Sequence, residues 1–145
     1  MINTKLTRLA SKIAYEAHKN QFDKAGVPYI FHPIHIAEGM TTEITCIVAL
    51  LHDVVEDSNI TLDDLSKYFD STVIEALRVL TKKNDDNYEE YIKMVKTNEI
   101  ATIVKLKDLE HNMDLTRLDE VTEDDIKRNE KYEDAISYLE MVELI

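Results

Sequence analysis

The stretch Glu43-Ile-Thr-Cys-Ile-Val-Ala-Leu-Leu-His-Asp-Val-Val-Glu-Asp57 decides the fold of this chain. It is apolar almost all round up to His52, which is typical of a helix buried at the centre of a domain. Its last six residues then change abruptly to His-Asp-Val-Val-Glu-Asp. The stretch therefore predicts a central buried helix from about Glu43 to Asp57, whose polar end lies inside the protein.

The sequence on either side of this helix also has a helical pattern. Apolar residues recur at helical spacing, and two glycines and two prolines in 145 residues leave little material for hairpins. We expect one all-α domain, a helical bundle spanning residues 1–145. The first of the other predicted helices carries an apolar stripe from Leu6 to Ala17, and the next begins at Pro33 after a loop from Gln21 to His32. Two more begin at the capping pairs Thr61/Asp64 and Thr72/Glu75. The last three are predicted over about 88–96, over about 99–118, and from Thr122 to the terminus.

The composition restricts the classes of partner. The formal net charge of −12 disfavours binding to DNA, RNA or anionic membranes, because the averaged field repels them. A small anionic substrate is compatible with this charge where lysines or a divalent cation concentrate positive charge locally. The single cysteine, Cys46, cannot form an intrachain disulfide, and the longest apolar run is too short to span a bilayer. We therefore expect a cytoplasmic protein with a small anionic ligand, and its oligomeric state is left open.

Polar interruptions of apolar segments predict a metal site. His52 and Asp53 follow the most apolar part of the chain, where adjacent polar groups are costly to bury without a partner. Asp108 interrupts a second apolar helix, and His32 precedes a proline at a helix entrance. Two nitrogens and two oxygens suit Mn²⁺, Fe²⁺ or Zn²⁺ better than Mg²⁺. We predict that these four residues bind one divalent ion; a hydrogen-bonded His-Asp pair is the alternative.

Two more carboxylates follow one turn later. Glu56 shares a helix face with His52, and Asp57 shares one with Asp53. Acidic groups at a helix C-terminus oppose the helix dipole, so their presence there indicates a function rather than a solvated helix end. The remaining histidines are more typical of exposed or hydrogen-bonding side chains than of ligands: His18, His35 and His111.

Four blocks of this sequence together resemble the HD-domain alarmone hydrolases of the RelA/SpoT homologue group, in particular their short, hydrolase-only members. The blocks follow the family's order over about residues 6 to 118, and the set is specific where the His-Asp pair alone is not. They are His18-Lys-Asn-Gln21 leading through Gly26-Val-Pro-Tyr-Ile-Phe-His32-Pro33, Ala49-Leu-Leu-His-Asp-Val-Val-Glu-Asp57, Leu80-Thr-Lys82, and Val104-Lys-Leu-Lys-Asp-Leu-Glu-His-Asn-Met113.

The resemblance implies a metal and a reaction. It implies a bundle of helices around one Mn²⁺, although another borderline divalent ion is possible. The implied reaction removes pyrophosphate from the ribose 3′ position of guanosine 3′,5′-bis(diphosphate) and its pentaphosphate, together (p)ppGpp. The implied ligands are His32, His52, Asp53 and Asp108.

The resemblance also implies roles for residues around the ion. Glu56 and Asp57 match the family positions that assist the hydrolytic water, and Asn112 matches one that helps to form the nucleotide site. We predict Lys24 and Lys82 as further substrate-binding residues because the anionic substrate needs local positive charge.

Two positions depart from the family's pattern. Asp23 stands where a basic residue that packs on guanine is often found, and Asp114 stands where another basic residue often follows. These replacements favour a first alternative, a phosphatase of the same HD type for another nucleotide. A second alternative is a non-catalytic module that binds an alarmone or a protein. Glu56 and Asp57 disfavour that binding module, because paired carboxylates repel an anionic ligand.

Overall fold

The computed structural model describes residues 1–83 and 85–141. Over these residues it contains α-helices, one short 3-10 helix and no β-strand, which confirms the all-α prediction. No helix in this part of the chain is long and apolar enough to cross a membrane. The α-helices are α1 (Lys5–His18), α2 (Phe31–Glu38), α3 (Glu43–Leu51), α4 (Val54–Asp57), α5 (Leu62–Ser66), α6 (Ser71–Leu80), α7 (Tyr88–Lys96), α8 (Glu99–Asn112) and α9 (Glu123–Glu140), and the 3-10 helix is Leu115–Arg117.

Helix α3 lies at the centre of the fold, as the sequence predicts. Every residue from Thr45 to Leu51 is buried, and the helix packs against α1, α2, α6 and α8. Fully burying a Leu or Ile side chain contributes about 1.5–3 kcal/mol. The start of α3 is capped by Thr42, whose hydroxyl accepts the N–H of Thr45 at 3.2 Å. This helix therefore positions everything attached to its C-terminal end.

The predicted helix from Glu43 to Asp57 is wrong in one respect, since the structure divides it in two. Between α3 and α4, Asp53 has φ −108° and ψ −2°, away from helical geometry. The ring Nδ1 of His52 donates to the carbonyl of Ala49 at 2.6 Å, and a side chain inserted into the backbone ladder breaks a helix. The break places His52 and Asp53 on a corner rather than on a continuous helical surface.

Two other predicted boundaries also differ. Helix α2 begins at Phe31, so His32 and Pro33 lie inside its first turn instead of before and at its start. Proline is tolerated there because a first-turn N–H has no partner within the helix. The helix predicted over 99–118 ends at Asn112, and the chain continues through the separate 3-10 helix.

The capping predictions have mixed outcomes. Thr61 forms the predicted capping box with Asp64, and α9 opens at Thr122 as expected. The cap predicted at Thr72 and Glu75 is wrong, because Asp70 caps α6 by accepting the N–H of Thr72 at 3.1 Å. The last predicted helix is described as far as residue 140, and residues 142–145 lie outside the described part.

Candidate active site

The structure brings the four predicted ligands together on one side of α3. His32 comes from the first turn of α2, His52 and Asp53 from the break between α3 and α4, and Asp108 from the last turns of α8. The Nε2 atom of His32 lies 2.8 Å from Oδ1 of Asp108 and 4.0 Å from Oδ2 of Asp53. The Nε2 atom of His52 lies 3.0 Å and 3.5 Å from the same two oxygens of Asp53 and Asp108. We call these four side chains the cluster.

His52 shows that the cluster fits a cation. Its Nδ1–H is engaged by Ala49, so the neutral ring carries its lone pair on Nε2. That buried Nε2 has no hydrogen-bond partner among the described residues, yet it faces carboxylates. Burial disfavours the imidazolium, but Asp53 and Asp108 hold the pKa of His52 well above its usual value. The site therefore attracts positive charge, either a proton or a metal ion.

The ring of His32, like that of His52, is oriented by a neighbour that contacts its Nδ1 atom. Its Nδ1 lies 2.8 Å from Nδ1 of His111, whose own ring stacks on His35 with centroids 4.0 Å apart. Burial and the neighbouring Arg117 lower the pKa of His111 to about 4, so His111 is neutral and accepts from His32. The Nε2 lone pair of His32 then faces the cluster. Ligand atoms of His32, His52 and Asp53 lie within 4.8 Å of one another, a group that can hold one ion.

Asp108 is held by two further side chains of α8. Lys105 donates to its Oδ2 at 2.9 Å, and Asn112 donates to its Oδ1 at 3.1 Å. Burial raises the pKa of Asp108, but Lys105 and the two histidines lower it more, so the group is a carboxylate. The Lys105 side chain is only 14 % exposed, and its Nζ lies 5.2 Å from the ring centroid of Tyr91. The sequence pattern alone does not show that this lysine is buried against Asp108.

Tyr29 is a site residue that the sequence reasoning missed. Its hydroxyl donates a hydrogen bond to Oδ2 of Asp53, and its ring packs edge-on against His18 with centroids 4.9 Å apart. Burial and the charge of Asp53 raise the pKa of Tyr29 far above its usual value, so it stays protonated. The sequence shows that Tyr29 lies three residues before His32, but helical periodicity does not show which atom its hydroxyl contacts.

The two predicted catalytic carboxylates lie at the exposed edge of the cluster, on α4. Partial burial, followed by the charge of Asp53, raises the pKa of both Glu56 and Asp57. A raised pKa makes a carboxylate a better proton acceptor near neutral pH. The end of α4 is fixed by Gln21, whose Nε2 donates to the carbonyl of Asp57 at 2.9 Å.

A cavity of about 280 Å³ opens beside the cluster at His32. Two of the three predicted substrate-binding residues, Lys24 and Asn112, line it. Lys24 is already engaged, because its Nζ lies 2.5 Å from Oδ1 of the buried Asp125. The third, Lys82, does not line this cavity, and its charge lowers the pKa of Glu56.

The fold and the cluster together define a class of protein. It is an all-helical protein in which His and Asp side chains from neighbouring helices form a buried group that can hold a divalent ion. Beside that group lie two carboxylates suited to accept protons, and next to it a cavity with cationic side chains.

Comparison with known proteins identifies relatives within this class. No protein-family model matches the sequence. The chain is 34 % identical over 124 residues to the bifunctional (p)ppGpp synthase/hydrolase SpoT of Escherichia coli, covering 75 % of this chain and 18 % of the relative. It is also 34 % identical over 119 residues to the guanosine-3′,5′-bis(diphosphate) 3′-pyrophosphohydrolase of Borreliella burgdorferi, covering 72 % of this chain and 18 % of the relative.

A solved structure shares the fold. It is a metazoan ortholog of SpoT described as hydrolysing ppGpp, with a TM-score of 0.76, 22 % identity, and coverage of 96 % of this chain and 87 % of that chain. The resemblance to the RelA/SpoT group is thus confirmed, and the chain is homologous to part of these proteins. The chain spans about 18 % of the length of these curated relatives.

Proposed function

We propose that this chain is a metal-dependent hydrolase of (p)ppGpp, a single HD-type domain over residues 1–145 that releases pyrophosphate from the ribose 3′ position. The observation that carries the proposal is the buried Nε2 of His52, which lacks a hydrogen-bond partner among the described residues and faces the carboxylates of Asp53 and Asp108. Relatives at 34 % identity carry the name of this activity. A pure binding module for an anion has no use for such a concentration of negative charge.

The cluster would hold the ion through all four side chains. Two imidazole nitrogens and two carboxylates favour Mn²⁺ or another borderline divalent ion over Mg²⁺. When bound, such an ion lowers the pKa of a water molecule and polarises a phosphoryl oxygen. Tyr29 and Lys105 would hold Asp53 and Asp108 in place by donating to their remaining lone pairs.

Glu56 and Asp57 would act on the attacking water. Both lie next to the cluster, and both have raised pKa values from burial and from the charge of Asp53. Glu56 would accept the proton of the water as general base, with Asp57 orienting it. Lys105 and Lys82 oppose this rise in the pKa of Glu56.

The cavity beside His32 would hold the nucleotide. Lys24 and Asn112 line it, as substrate-binding residues should. Lys82 would instead act from the side of Glu56. Asp23 and Asp114 also line the cavity, which favours as second candidate the hydrolysis of another nucleotide by the same cluster.

The test is a substrate panel with the full chain. Protein stripped of metal by a chelator is assayed with and without added Mn²⁺ on ppGpp, pppGpp, GTP and ATP, and the products are identified. We expect Mn²⁺-dependent formation of GDP or GTP together with pyrophosphate. Turnover of another nucleotide alone would establish the second candidate. Binding of ppGpp with no turnover of any nucleotide in Mn²⁺ would establish a binding module instead.

A further inference from the structure

Two acidic departures from the family's pattern, Asp23 and Asp114, lie close to one cation, Arg117, and Asp23 pairs with it directly. Asp114 caps the 3-10 helix by accepting the N–H of Thr116 at 3.0 Å. That helix ends at Arg117, whose Nη2 reaches Oδ2 of Asp23 at 3.5 Å. Because residues 23 and 117 are 94 positions apart, only the tertiary structure reveals the pair.

Asp23 is fixed independently of Arg117. Its Oδ1 accepts the N–H groups of Ala25 and Val27 at 2.9 and 3.0 Å, and its backbone N–H donates to the carbonyl of Val27 at 2.8 Å. Gly26 completes this turn with φ +85°, a conformation that glycine adopts without strain. The turn uses only one carboxylate oxygen, so Oδ2 of Asp23 serves as a rigid counter-ion.

Arg117 has a second anchor on the side of the cluster. Its Nη1 donates to the carbonyl of His111 at 2.9 Å. A guanidinium has five N–H donors, and these two contacts leave others for a ligand. Arg117, Asp23 and His32 line the cavity of about 280 Å³ and also an adjoining one of about 430 Å³. A ligand bound in either cavity can therefore contact both His32 and Arg117.

The other two cations of the first cavity share one carboxylate, and each of them lies closer to it than Arg117 lies to Asp23. Lys24 and Arg128 both bind Oδ1 of Asp125, at 2.5 and 3.1 Å, and the Asp125 side chain is 1 % exposed. The 3.5 Å separation of Arg117 and Asp23 is long for a charged hydrogen bond, whose usual length is about 2.7–2.9 Å. Among the described cations that line this cavity, Arg117 thus has the longest ion pair, so its guanidinium is the one held least closely by a carboxylate.

We propose that Arg117 is the specificity-determining residue that binds the phosphates which are not cleaved, those on the ribose 5′ position, with Asp23 as its positioning counter-ion. The inference rests on the proposed function, which places the 3′ diphosphate at the cluster. Planar guanidinium donors match phosphate oxygens in pairs. Asp114 caps the 3-10 helix that carries Arg117, and Asp23 holds the guanidinium beside the cavity. Together they position a cation for the substrate.

The experiment removes the proposed contact once from the protein, by replacing Arg117, and once from the substrate, by omitting the 5′ phosphates. Arg117→Ala and wild type are assayed on ppGpp and on guanosine 3′-diphosphate with a free 5′ hydroxyl. We expect Arg117→Ala to raise KM for ppGpp about 10- to 100-fold, as for a hydrogen bond to a charged group, with kcat nearly unchanged. On the 5′-hydroxyl substrate the two proteins should have the same KM. Arg117→Lys should give an intermediate KM for ppGpp, because it keeps the charge but not the planar donors.

A double variant tests the role of Asp23. Asp23→Asn keeps the oxygen that accepts in the turn but removes the charge, so in the Arg117→Ala background it should recover part of the KM by removing an unpaired carboxylate. The matched control is Arg78→Ala, which breaks an exposed pair with Glu75 on α6, away from both cavities. It should leave KM unchanged on both substrates.

The outcomes separate this inference from the proposed function. An unchanged KM for ppGpp, or an equal loss on both substrates, would overturn the role of Arg117 while leaving hydrolysis established. Lack of recovery in the double variant would overturn the role of Asp23. Wild-type protein without turnover of ppGpp would overturn both proposals. Thermal melting of each variant shows whether it is folded.

Discussion

The cluster differs from the charged residues that line the cavity of about 280 Å³ in how its polar groups are paired. We call those lining residues the rim: Asp23, Lys24, Asp114, Arg117, Asp125 and Arg128. In the cluster, imidazole lone pairs and carboxylate oxygens face one another at 2.8 to 4.0 Å, and His52 Nε2 has no hydrogen-bond partner among the described residues. At the rim, two carboxylates have cationic partners. Asp23 pairs with Arg117, and Asp125 pairs with Lys24 and Arg128. Both regions contain a cation paired with a carboxylate, since Lys105 binds Asp108, but of these described residues only the cluster also has a buried imidazole nitrogen without a hydrogen-bond partner, as a cation site requires.

The largest effect should come from removing a cluster nitrogen. His52→Ala should bind little Mn²⁺ and lose more turnover than base removal does, which is typically about 10²- to 10⁴-fold. Metal content after dialysis and kcat with excess Mn²⁺ measure this. His35→Ala is the control, because its exposed ring stacks on His111 outside the cluster. Normal metal content in His52→Ala would break the comparison by showing that the ion does not need His52, which would then only form a hydrogen-bonded pair with Asp53.

A smaller loss should follow Glu56→Gln, which keeps the size of the side chain but not its basicity. Metal content and KM should stay close to wild type while kcat falls about 10²- to 10⁴-fold. Glu75→Gln on α6 changes an exposed glutamate in the same way and should leave kcat unaltered. Wild-type turnover by Glu56→Gln would transfer the role of base to Asp57.

Removal of the metal should make stability depend on pH. The folded pKa of His52 is raised, so its proton stabilises the metal-free fold below about pH 6.5, the usual unfolded value. That stabilisation is lost as pH rises through the folded pKa. The Tm of chelated protein should therefore fall between pH 6 and pH 9, by about 3–5 °C for each kcal/mol. Mn²⁺ should raise Tm most at the higher pH, and equal melting curves with and without metal at pH 9 would contradict a cation site.

The smallest effect should come from Tyr29→Phe. This change removes only the hydroxyl that donates to the Asp53 carboxylate, a hydrogen bond worth about 1.5–3 kcal/mol, or roughly 10- to 100-fold in kcat. Its control is Tyr15→Phe, an exposed tyrosine of α1. A loss in Tyr29→Phe as large as in His52→Ala would show that Tyr29 touches the substrate, and would sharpen the boundary between cluster and rim.

Much of the fold and part of the site can be predicted from the sequence. Helical periodicity and the scarcity of Gly and Pro predicted the all-α architecture, because these signals are local. The apolar run before His52 predicted the buried position of α3. Polar interruptions of apolar helices predicted that His32, His52, Asp53 and Asp108 would matter, since such groups need partners when buried. That they bind a metal stays a prediction.

The tertiary structure alone decided how these side chains are held and what surrounds them. It broke the central helix at Asp53, added Tyr29 and Lys105 to the site, and paired Asp23 with Arg117. Each of these depends on the direction of a side chain or on a contact between distant parts of the chain. Periodicity reports which face of a helix is buried, but not which atom across the fold receives a hydrogen bond. The charge of a single position therefore says little until its counter-ion is seen.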